Sequence, residues 1–240
     1  MTDDELETSE AAIQHARQHK KAIAKRLTDK SVYPREKSPV SVFMAGSPGA
    51  GKTESSLALL EAFREQEGLK VLRIDPDELR SELPGYNGDN SWLFQHAVSI
   101  LVDKMHDLAL DQKQSFVLDG TLANYDIARK NVERSAKRER FVQILYVYQE
   151  PKLAWQFVQA RERWEGRRIP IESFIDQYFE SRRVVNTLKE EFRKAVHVDL
   201  LIKNNDNSLK SSMTNIDRID GHLPEKYTRE SLLRDLLPHR

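Results

Sequence analysis

The sequence contains no cysteine, which excludes a disulfide framework and a thiolate metal site. It also has no apolar run close to the roughly 20 residues that a membrane-spanning helix needs. Its 38 basic and 38 acidic residues cancel, so no net charge attracts nucleic acid or an anionic membrane. Residues 1–7 are acidic and include no apolar segment, so we expect no secretory signal. Together these absences predict a cytoplasmic protein without a membrane partner, and they disfavour nucleic acid as a partner.

The chain is long enough to form one α/β domain around a buried core. It has 240 residues, of which 39% are hydrophobic and 32% charged. From Val40 onward, strand-like and helix-like segments alternate, which predicts a mainly parallel sheet covered by helices on both faces. We divide the chain into an N-terminal helical extension and linker (residues 1–39), a core (40–203), and an irregular segment with a short final helix (204–240).

Hydrophobic periodicity predicts where the elements of this fold lie. The extension is predicted to be helical over residues 3–29 and to begin with a capping box formed by Thr2 and Glu5. Further helices are predicted over residues 54–63, 91–112, 123–138, 151–165, 171–195 and 229–237. Strands are predicted over residues 40–45, 70–74, 115–118, 141–148 and 198–202. His96 and His106 have no convincing metal-ligand spacing, so we expect surface or packing roles for them.

The most informative segment is a complete GxxxxGK[ST] phosphate loop. It follows the first predicted strand and precedes a predicted helix, which is the context in which this pattern binds a nucleotide. Its glycines let backbone N–H groups surround phosphate oxygens, and the helix N-terminus adds partial positive charge. The lysine would reach the β- and γ-phosphates of ATP, and the threonine hydroxyl would bind Mg²⁺. The loop consists of Gly46, Ser47, Pro48, Gly49, Ala50, Gly51, Lys52 and Thr53.

Two acidic segments follow predicted strands and are candidates for the same site. Ligands collect at the carboxyl ends of parallel strands, so Asp75, Asp77 and Asp119 are expected near the phosphate loop. Asp77 is a candidate base that takes the proton of an acceptor hydroxyl. Asp75 either shares that chemistry or only caps the following helix, in which Pro76 is the first residue. Asp119 either holds Mg²⁺ or binds substrate, the alternative being a turn-forming Asp-Gly pair.

A cluster of arginines joins two predicted helices in the manner of a lid. Arginines near a phosphoryl group stabilise its developing charge, an effect of about 10³- to 10⁵-fold in rate for an arginine finger. The alternative is a solvated helix end whose arginines pair with Glu162 and Glu165, and we favour it for Arg161. A role in catalysis is favoured for the other three because a glycine and a proline mark an irregular loop there. These are Arg163, Arg167 and Arg168.

Four segments taken together resemble the zeta toxin family of P-loop kinases. They are residues 46–53, 74–77, 117–121 and 162–170, and the resemblance extends from about residue 40 to residue 202. It implies a P-loop kinase fold that uses ATP or GTP with Mg²⁺. It further implies phosphorylation of the 3′-hydroxyl of the amino sugar in UDP-N-acetylglucosamine, a reaction that poisons bacterial cell-wall synthesis.

The resemblance also implies roles for individual side chains. Lys52 and Thr53 would contact the nucleotide and Mg²⁺, Asp77 would be the catalytic base, and Thr121 would bind substrate. The family carries glutamate where this chain has Asp119, whose side chain is one methylene shorter. The arginines that clamp the phosphates would be Arg163 and either Arg167 or Arg168.

The sequence leaves the acceptor and the partners open. The acceptor is a nucleotide-linked small molecule in the leading interpretation, and NAD, a nucleoside, an antibiotic or a nucleic-acid 5′ end in the nearest alternatives. A further alternative is a non-catalytic module whose nucleotide controls a partner, although such a module needs no base such as Asp77. The resemblance also implies inhibition, either by an antitoxin chain or in cis by residues 1–39. The alternative for residues 1–39 is an accessory helix packed on the core.

Overall fold

A six-stranded sheet forms the centre of the structure, a computed structural model that describes residues 1–165, 168–224 and 226–237. The strands stand in the order β2-β3-β1-β4-β5-β6, with β1 to β5 parallel and β6 antiparallel to β5. Their bounds are Val40–Ala45 (β1), Leu72–Ile74 (β2), Phe116–Leu118 (β3), Phe141–Tyr148 (β4), Val196–Lys203 (β5) and Leu209–Met213 (β6). The predicted mainly parallel sheet is confirmed.

The helices follow the strands in sequence, as the alternating pattern predicted. They are Asp3–Leu27 (α1), Lys52–Glu67 (α2), Gln95–Asp111 (α3), Tyr125–Ala136 (α4), Pro151–Glu165 (α5), Ile171–Phe192 (α6) and Arg229–Leu236 (α7). Short 3₁₀ turns occupy Glu78–Glu82, Ser91–Phe94 and Arg193–Ala195. The predicted helix over residues 91–112 therefore begins with a separate 3₁₀ turn. In the described part of the chain, no helix combines the length and apolar character that crossing a membrane requires.

Both faces of the sheet are covered because side chains of a strand alternate in direction. In β1, Phe43 and Ala45 belong to the larger hydrophobic core, which α1 and α3 to α7 also line. Val42 and Met44 point the other way, into a second core that is covered by α2. The central strand is thus buried on both sides, which explains why it reads as a continuous apolar run.

Helix α1 packs on the core through small side chains. Its capping box forms as predicted, since the Thr2 hydroxyl accepts from the Glu5 N–H and the Glu5 carboxylate accepts from the Thr2 N–H. Ala12, Ala16 and Ala24 are fully buried, and the helix lies against α3. Alanine adds no side-chain bulk beyond Cβ, so the two helices can approach closely. The arrangement is that of an accessory helix packed on the core.

The interpretation of residues 204–223 as wholly irregular was wrong, because β6 lies within this segment. A tight turn connects β5 to β6, with the Asn204 N–H donating to the Ser208 carbonyl at 2.8 Å and Asn207 at φ 67°. The sequence did not indicate this strand, because its five residues, Leu-Lys-Ser-Ser-Met, do not alternate between apolar and polar. They lie largely exposed at the edge of the sheet, where no such alternation is needed. Pairing with β5 determines this strand, and no local pattern indicates it.

The two histidines of α3 have different surroundings, and neither lies among metal ligands in the described residues. His96 is exposed, whereas His106 is fully buried between the rings of Phe43 and Phe116, at 6.0 and 4.9 Å between centroids. Burial, with a smaller contribution from the nearby Arg134 charge, lowers the pKa of His106 to about 3. The predicted surface and packing roles are confirmed.

His106 should make the protein sensitive to mild acid. Below about pH 6.5 the unfolded chain binds a proton at this histidine, whereas the folded chain does not until about pH 3. The free energy of unfolding should therefore fall by up to about 1.4 kcal/mol per pH unit through this one group. His106→Leu removes the effect, so its stability relative to the wild type should improve as pH falls.

Urea unfolding at several values between about pH 7.5 and about pH 5 measures this difference. His96→Leu is the matched control because His96 lies on the same helix but is exposed. A constant gap between wild type and His106→Leu over this range would contradict the argument.

Candidate active site

The phosphate loop leaves the carboxyl end of the central strand β1 and enters α2, as the sequence predicted. Gly46 and Gly49 have φ values of 130° and 72°, in the region that favours glycine. A Cβ at Gly46 would overlap the carbonyl oxygen of Val147, and one at Gly49 would overlap that of Ala154. Both glycines are therefore required by conformation and by space, which brings the loop backbone against β4 and α5.

The Lys52 side chain folds back over the phosphate loop. Its ammonium group donates to the carbonyl of Gly46 at 3.1 Å and to that of Ser47 at 2.7 Å. Thr53 follows at the start of α2 and lines the same cavity. A cation and a helix N-terminus thus converge on one point, which favours a phosphate there.

Arg73 of β2 joins the acidic groups at the ends of two strands. Its Nη2 lies 2.5 Å from Asp75 Oδ2 and 2.7 Å from Asp119 Oδ2, and its Nη1 lies 2.6 Å from Glu78 Oε1. The Ser56 hydroxyl of α2 donates to Asp119 Oδ2 at 2.9 Å. These contacts connect β2, β3 and α2, so the carboxylates converge as predicted. Sequence reasoning missed Arg73 and Ser56, since neither belongs to a motif.

Asp75 has the environment of a structural carboxylate. Its Oδ1 accepts the backbone N–H of Asp77 at 2.8 Å and so closes a turn. The following 3₁₀ helix begins at Glu78 with Asp77 as its N-cap, so the predicted capping of a helix that starts at Pro76 was wrong. Burial raises the pKa of Asp75 to about 6, against the opposing effect of the Arg73 charge. This carboxylate is thus largely used in holding the turn that presents Asp77.

Asp77 lines the cavity, and a buried arginine that also lines it holds the Asp77 carboxylate. Arg80, which is 4% exposed, donates from Nη1 to Asp77 Oδ1. The same guanidinium reaches Gln95 Oε1 at 3.4 Å from Nη2. Asp77 keeps 37% of its side chain exposed, so the carboxylate is oriented and still accessible to a ligand. Arg80 and Gln95 are further residues that sequence reasoning missed.

A cavity of about 990 Å³ brings the predicted segments together. This volume is at the upper end of the range for small-molecule sites, about 300–1,000 Å³. The Thr121 carbonyl accepts the Gly46 N–H at 3.2 Å, which ties the loop after β3 to the phosphate loop. The lining includes Lys52, Thr53, Asp75, Asp77, Asp119 and Thr121.

The arginine cluster is divided by the geometry of α5. Arg161 lines the cavity, although the sequence favoured a solvated role for it, and Arg168 lines the cavity as well. Arg163 lies two residues after Arg161, about 200° around the helix, and is exposed, with its Nε donating to the Gln159 carbonyl at 3.3 Å. Arg163 is not part of the cavity lining, and Arg167 lies outside the described residues. Arg168 also approaches Glu162 at 3.8 Å.

The donor groups present suit Mg²⁺ bound together with a phosphate. In proteins Mg²⁺ is held by one or two carboxylates and by substrate phosphates, with water completing the shell. Thr53 at the end of the phosphate loop and Asp119 after β3 both line the cavity. No cluster of three or more acidic or histidine side chains suited to a metal occurs in residues 1–165, 168–224 or 226–237. These residues therefore fit a metal that arrives with its nucleotide.

The comparison with protein families decides the classification. A family model described as "Zeta toxin" matches residues 23–215, which is most of the chain. The chain belongs to the zeta toxin family. Zeta toxins are kinase-like phosphotransferases that depend on a nucleotide. Membership of this family confirms the kinase-like class that the phosphate loop indicated. No curated protein matches the chain.

Several solved structures share the fold of this chain, and one of them is from a toxin-antitoxin system. One comes from the PezAT chromosomal toxin-antitoxin system of the human pathogen Streptococcus pneumoniae, with a TM-score of 0.61, 18% identity, and coverage of 88% of this chain and 81% of that one. The native AvrRxo1-ORF1:-ORF2 complex gives a TM-score of 0.63 at 14% identity, covering 86% and 71%. AvrRxo1-ORF1:-ORF2 with ATP gives 0.56 at 16% identity, covering 87% and 65%. At such identities the likeness shows the fold.

Removing Arg73 should destabilise the protein strongly. Its side chain is 10% exposed and its partner Asp119 is 6% exposed, so Arg73→Ala leaves carboxylates buried without their cation. Breaking such a buried pair costs about 3–5 kcal/mol. Arg64→Ala is the matched control because Arg64 is 65% exposed and water screens its pair with Glu61, so its loss should change stability little. Urea unfolding at neutral pH measures both, and equal losses would contradict the argument.

Proposed function

We propose that this protein is a kinase that transfers the γ-phosphoryl group of ATP or GTP to a hydroxyl of a nucleotide-linked small molecule. UDP-N-acetylglucosamine is the leading acceptor, because it is the acceptor implied by the family resemblance. The observation that carries the proposal is the cavity itself, which places Lys52 and Asp77 in the walls of one space. A phosphate donor site alone would not require an oriented carboxylate on the same cavity.

The donor would bind on the phosphate loop, residues 46–53. Backbone N–H groups of this loop and the Lys52 ammonium would hold the β- and γ-phosphates. Thr53 and Asp119 would hold Mg²⁺, which when bound neutralises charge on the phosphates and polarises them. A structure of AvrRxo1-ORF1:-ORF2 with ATP, which shares this fold, supports ATP as the donor.

The acceptor would bind on the Asp77 side of the cavity, where Thr121 is also part of the lining. As the acceptor oxygen attacks phosphorus, Asp77 would take its proton, and Arg80 holds the Asp77 carboxylate in the required orientation. Arg168 would stabilise charge on the transferring group, and Arg161 is placed to assist it. The roles of Arg163 and Arg167 in the phosphate clamp stay predictions.

We extend the proposal to an antitoxin partner and a cytoplasmic site of action. The PezAT structure is from a toxin-antitoxin system, and the AvrRxo1 structure is a complex of ORF1 with ORF2. Both support a protein partner that controls the kinase. No residue of the segment 1–39 lines the cavity, so the packing of α1 supports an accessory role over inhibition in cis. The division of the chain at residues 39 and 203 stays a prediction.

The acceptor can be identified directly. Purified protein is mixed with ATP, Mg²⁺ and a panel of metabolites, and products are searched by mass spectrometry for the gain of about 80 Da that one phosphoryl group adds. A gain on UDP-N-acetylglucosamine supports the leading acceptor. A gain on NAD or a nucleoside selects another acceptor, whereas no gain on any metabolite favours the non-catalytic nucleotide-dependent module.

Two substitutions separate the donor site from the acceptor site. Asp77→Ala should reduce transfer by about 10²- to 10⁴-fold because a general base is lost, while ATP binding stays nearly unchanged. Lys52→Ala should weaken both, since the same ammonium contacts the donor before and during transfer. Calorimetric titration with ATP and turnover assays measure the two effects.

Asp89→Ala is the control for these variants, because Asp89 is an exposed acidic residue of a nearby loop that does not line the cavity. Thermal unfolding of each variant checks that it is folded. Wild-type turnover by Asp77→Ala would remove Asp77 from the role of base.

A further inference from the structure

Trp92 is a large aromatic side chain that the 3₁₀ turn Ser91–Phe94 exposes at the cavity. It is 54% exposed, whereas Ser91, Leu93 and Phe94 of the same turn are 5%, 5% and 0% exposed. The turn therefore buries its other side chains and presents the indole to the cavity, of which Trp92 is a lining residue. Removing the exposed indole surface from water would be favourable, so a ligand that covers it gains binding free energy. Ligand pockets commonly combine such apolar walls with a few polar groups.

The turn that carries Trp92 is held rigidly. Phe94 packs edge-on against the Tyr86 ring, with 5.5 Å between centroids. The Leu93 carbonyl accepts the Ser9 hydroxyl of α1 at 2.8 Å, and the Leu93 N–H donates to the Asn90 carbonyl at 3.1 Å. Because the neighbours on both sides are fixed, the indole is a preorganised surface that loses little freedom when a ligand covers it.

The position of Trp92 assigns it to the acceptor side of the cavity. Gln95 follows it by three residues, lines the same cavity and contacts Arg80, which in turn holds Asp77. Trp92 thus lies close in sequence to a residue whose contacts lead to the candidate base, in the lining of the same cavity. The phosphate loop with Lys52 enters the cavity from β1, whereas Trp92 and Gln95 lie in the segment that leads into α3.

We propose that Trp92 is a specificity-determining residue that stacks on the planar ring of the nucleotide-linked acceptor. This inference rests on the proposed kinase function and adds the side chain that recognises the ring of its acceptor. Stacking of a base on an aromatic side chain is worth about 5- to 150-fold in affinity and depends little on which base is present. Trp92 therefore selects the presence of a ring, while polar groups nearer Asp77 select the hydroxyl that is phosphorylated.

Binding without turnover tests this inference independently of catalysis. The full-length protein is saturated with Mg²⁺ and a non-hydrolysable ATP analogue, and then titrated in a calorimeter with UDP-N-acetylglucosamine, NAD, adenosine and N-acetylglucosamine 1-phosphate. The last ligand has no aromatic ring. Quenching of tryptophan fluorescence provides a second readout, because stacking on Trp92 changes its emission whereas a purely structural role would not.

Trp92→Ala should weaken binding of the ring-containing ligand about 5- to 150-fold and leave the ring-free sugar phosphate unaffected. Trp92→Phe should retain most of the affinity, since it keeps a smaller stacking surface, but should lose the fluorescence quenching. Phe141→Ala is the control, because Phe141 is 47% exposed, packs beside His197 and does not line the cavity. With an acceptor that is turned over, the Trp92→Ala defect should appear in KM for the acceptor and not in KM for ATP.

Three results would overturn the inference: wild-type affinity of Trp92→Ala for the ring-containing ligand, equal weakening of ring-free and ring-containing ligands, or no binding of any ring-containing ligand by the wild type. Binding that depends on Trp92 without phosphoryl transfer would count against the kinase function alone. Transfer that is indifferent to Trp92 would count against the stacking role alone.

Discussion

One guanidinium keeps the acidic end of the sheet together. Asp75 and Asp119 end neighbouring strands, and their carboxylates would repel each other at the distance that the sheet imposes. Arg73 lies between them and contacts both, while Ser56 brings α2 to the same point. Because α2 also begins at the phosphate loop, this ion-pair cluster determines how the loop is placed relative to the acidic residues. The candidate site therefore depends on a residue that does not itself belong to it.

The parallel topology explains why the site lies where it does. Strand β1 stands in the middle of the sheet with β3 on one side and β4 on the other. The loops that follow β1, β2 and β3 leave the sheet at the same end of the strands, so the phosphate loop and Asp119 meet although Gly46 and Asp119 are far apart in sequence. The glycines then allow the loop backbone to approach β4 and α5 more closely than a side chain would permit.

Much of this arrangement could be predicted, because it is recorded in local patterns. Strands β1 and β4 were predicted with their observed bounds, since continuous apolar runs mark strands buried on both faces. Residues whose partners lie far away in sequence could not be predicted. Arg73 looks like an ordinary charged residue in a short strand until Asp119 is brought beside it, and the polar edge strand β6 exists only because β5 offers it hydrogen bonds. The positions of the arginines could not be predicted either. Arg161 and Arg163 lie on different sides of α5, and which of them faces the cavity depends on which face of α5 is buried.

The hydrogen bond from Ser9 to the Leu93 carbonyl makes the N-terminal helix a brace for one wall of the cavity. This helix touches α3 and the turn before it, while the phosphate loop is anchored separately in β1. The N-terminal helix thus supports the wall that carries Trp92 and makes no contribution to the lining at the phosphate loop. A change in the first helix would therefore act first on the Trp92 wall, so in the proposed kinase it would alter recognition of the acceptor before it altered the phosphate loop.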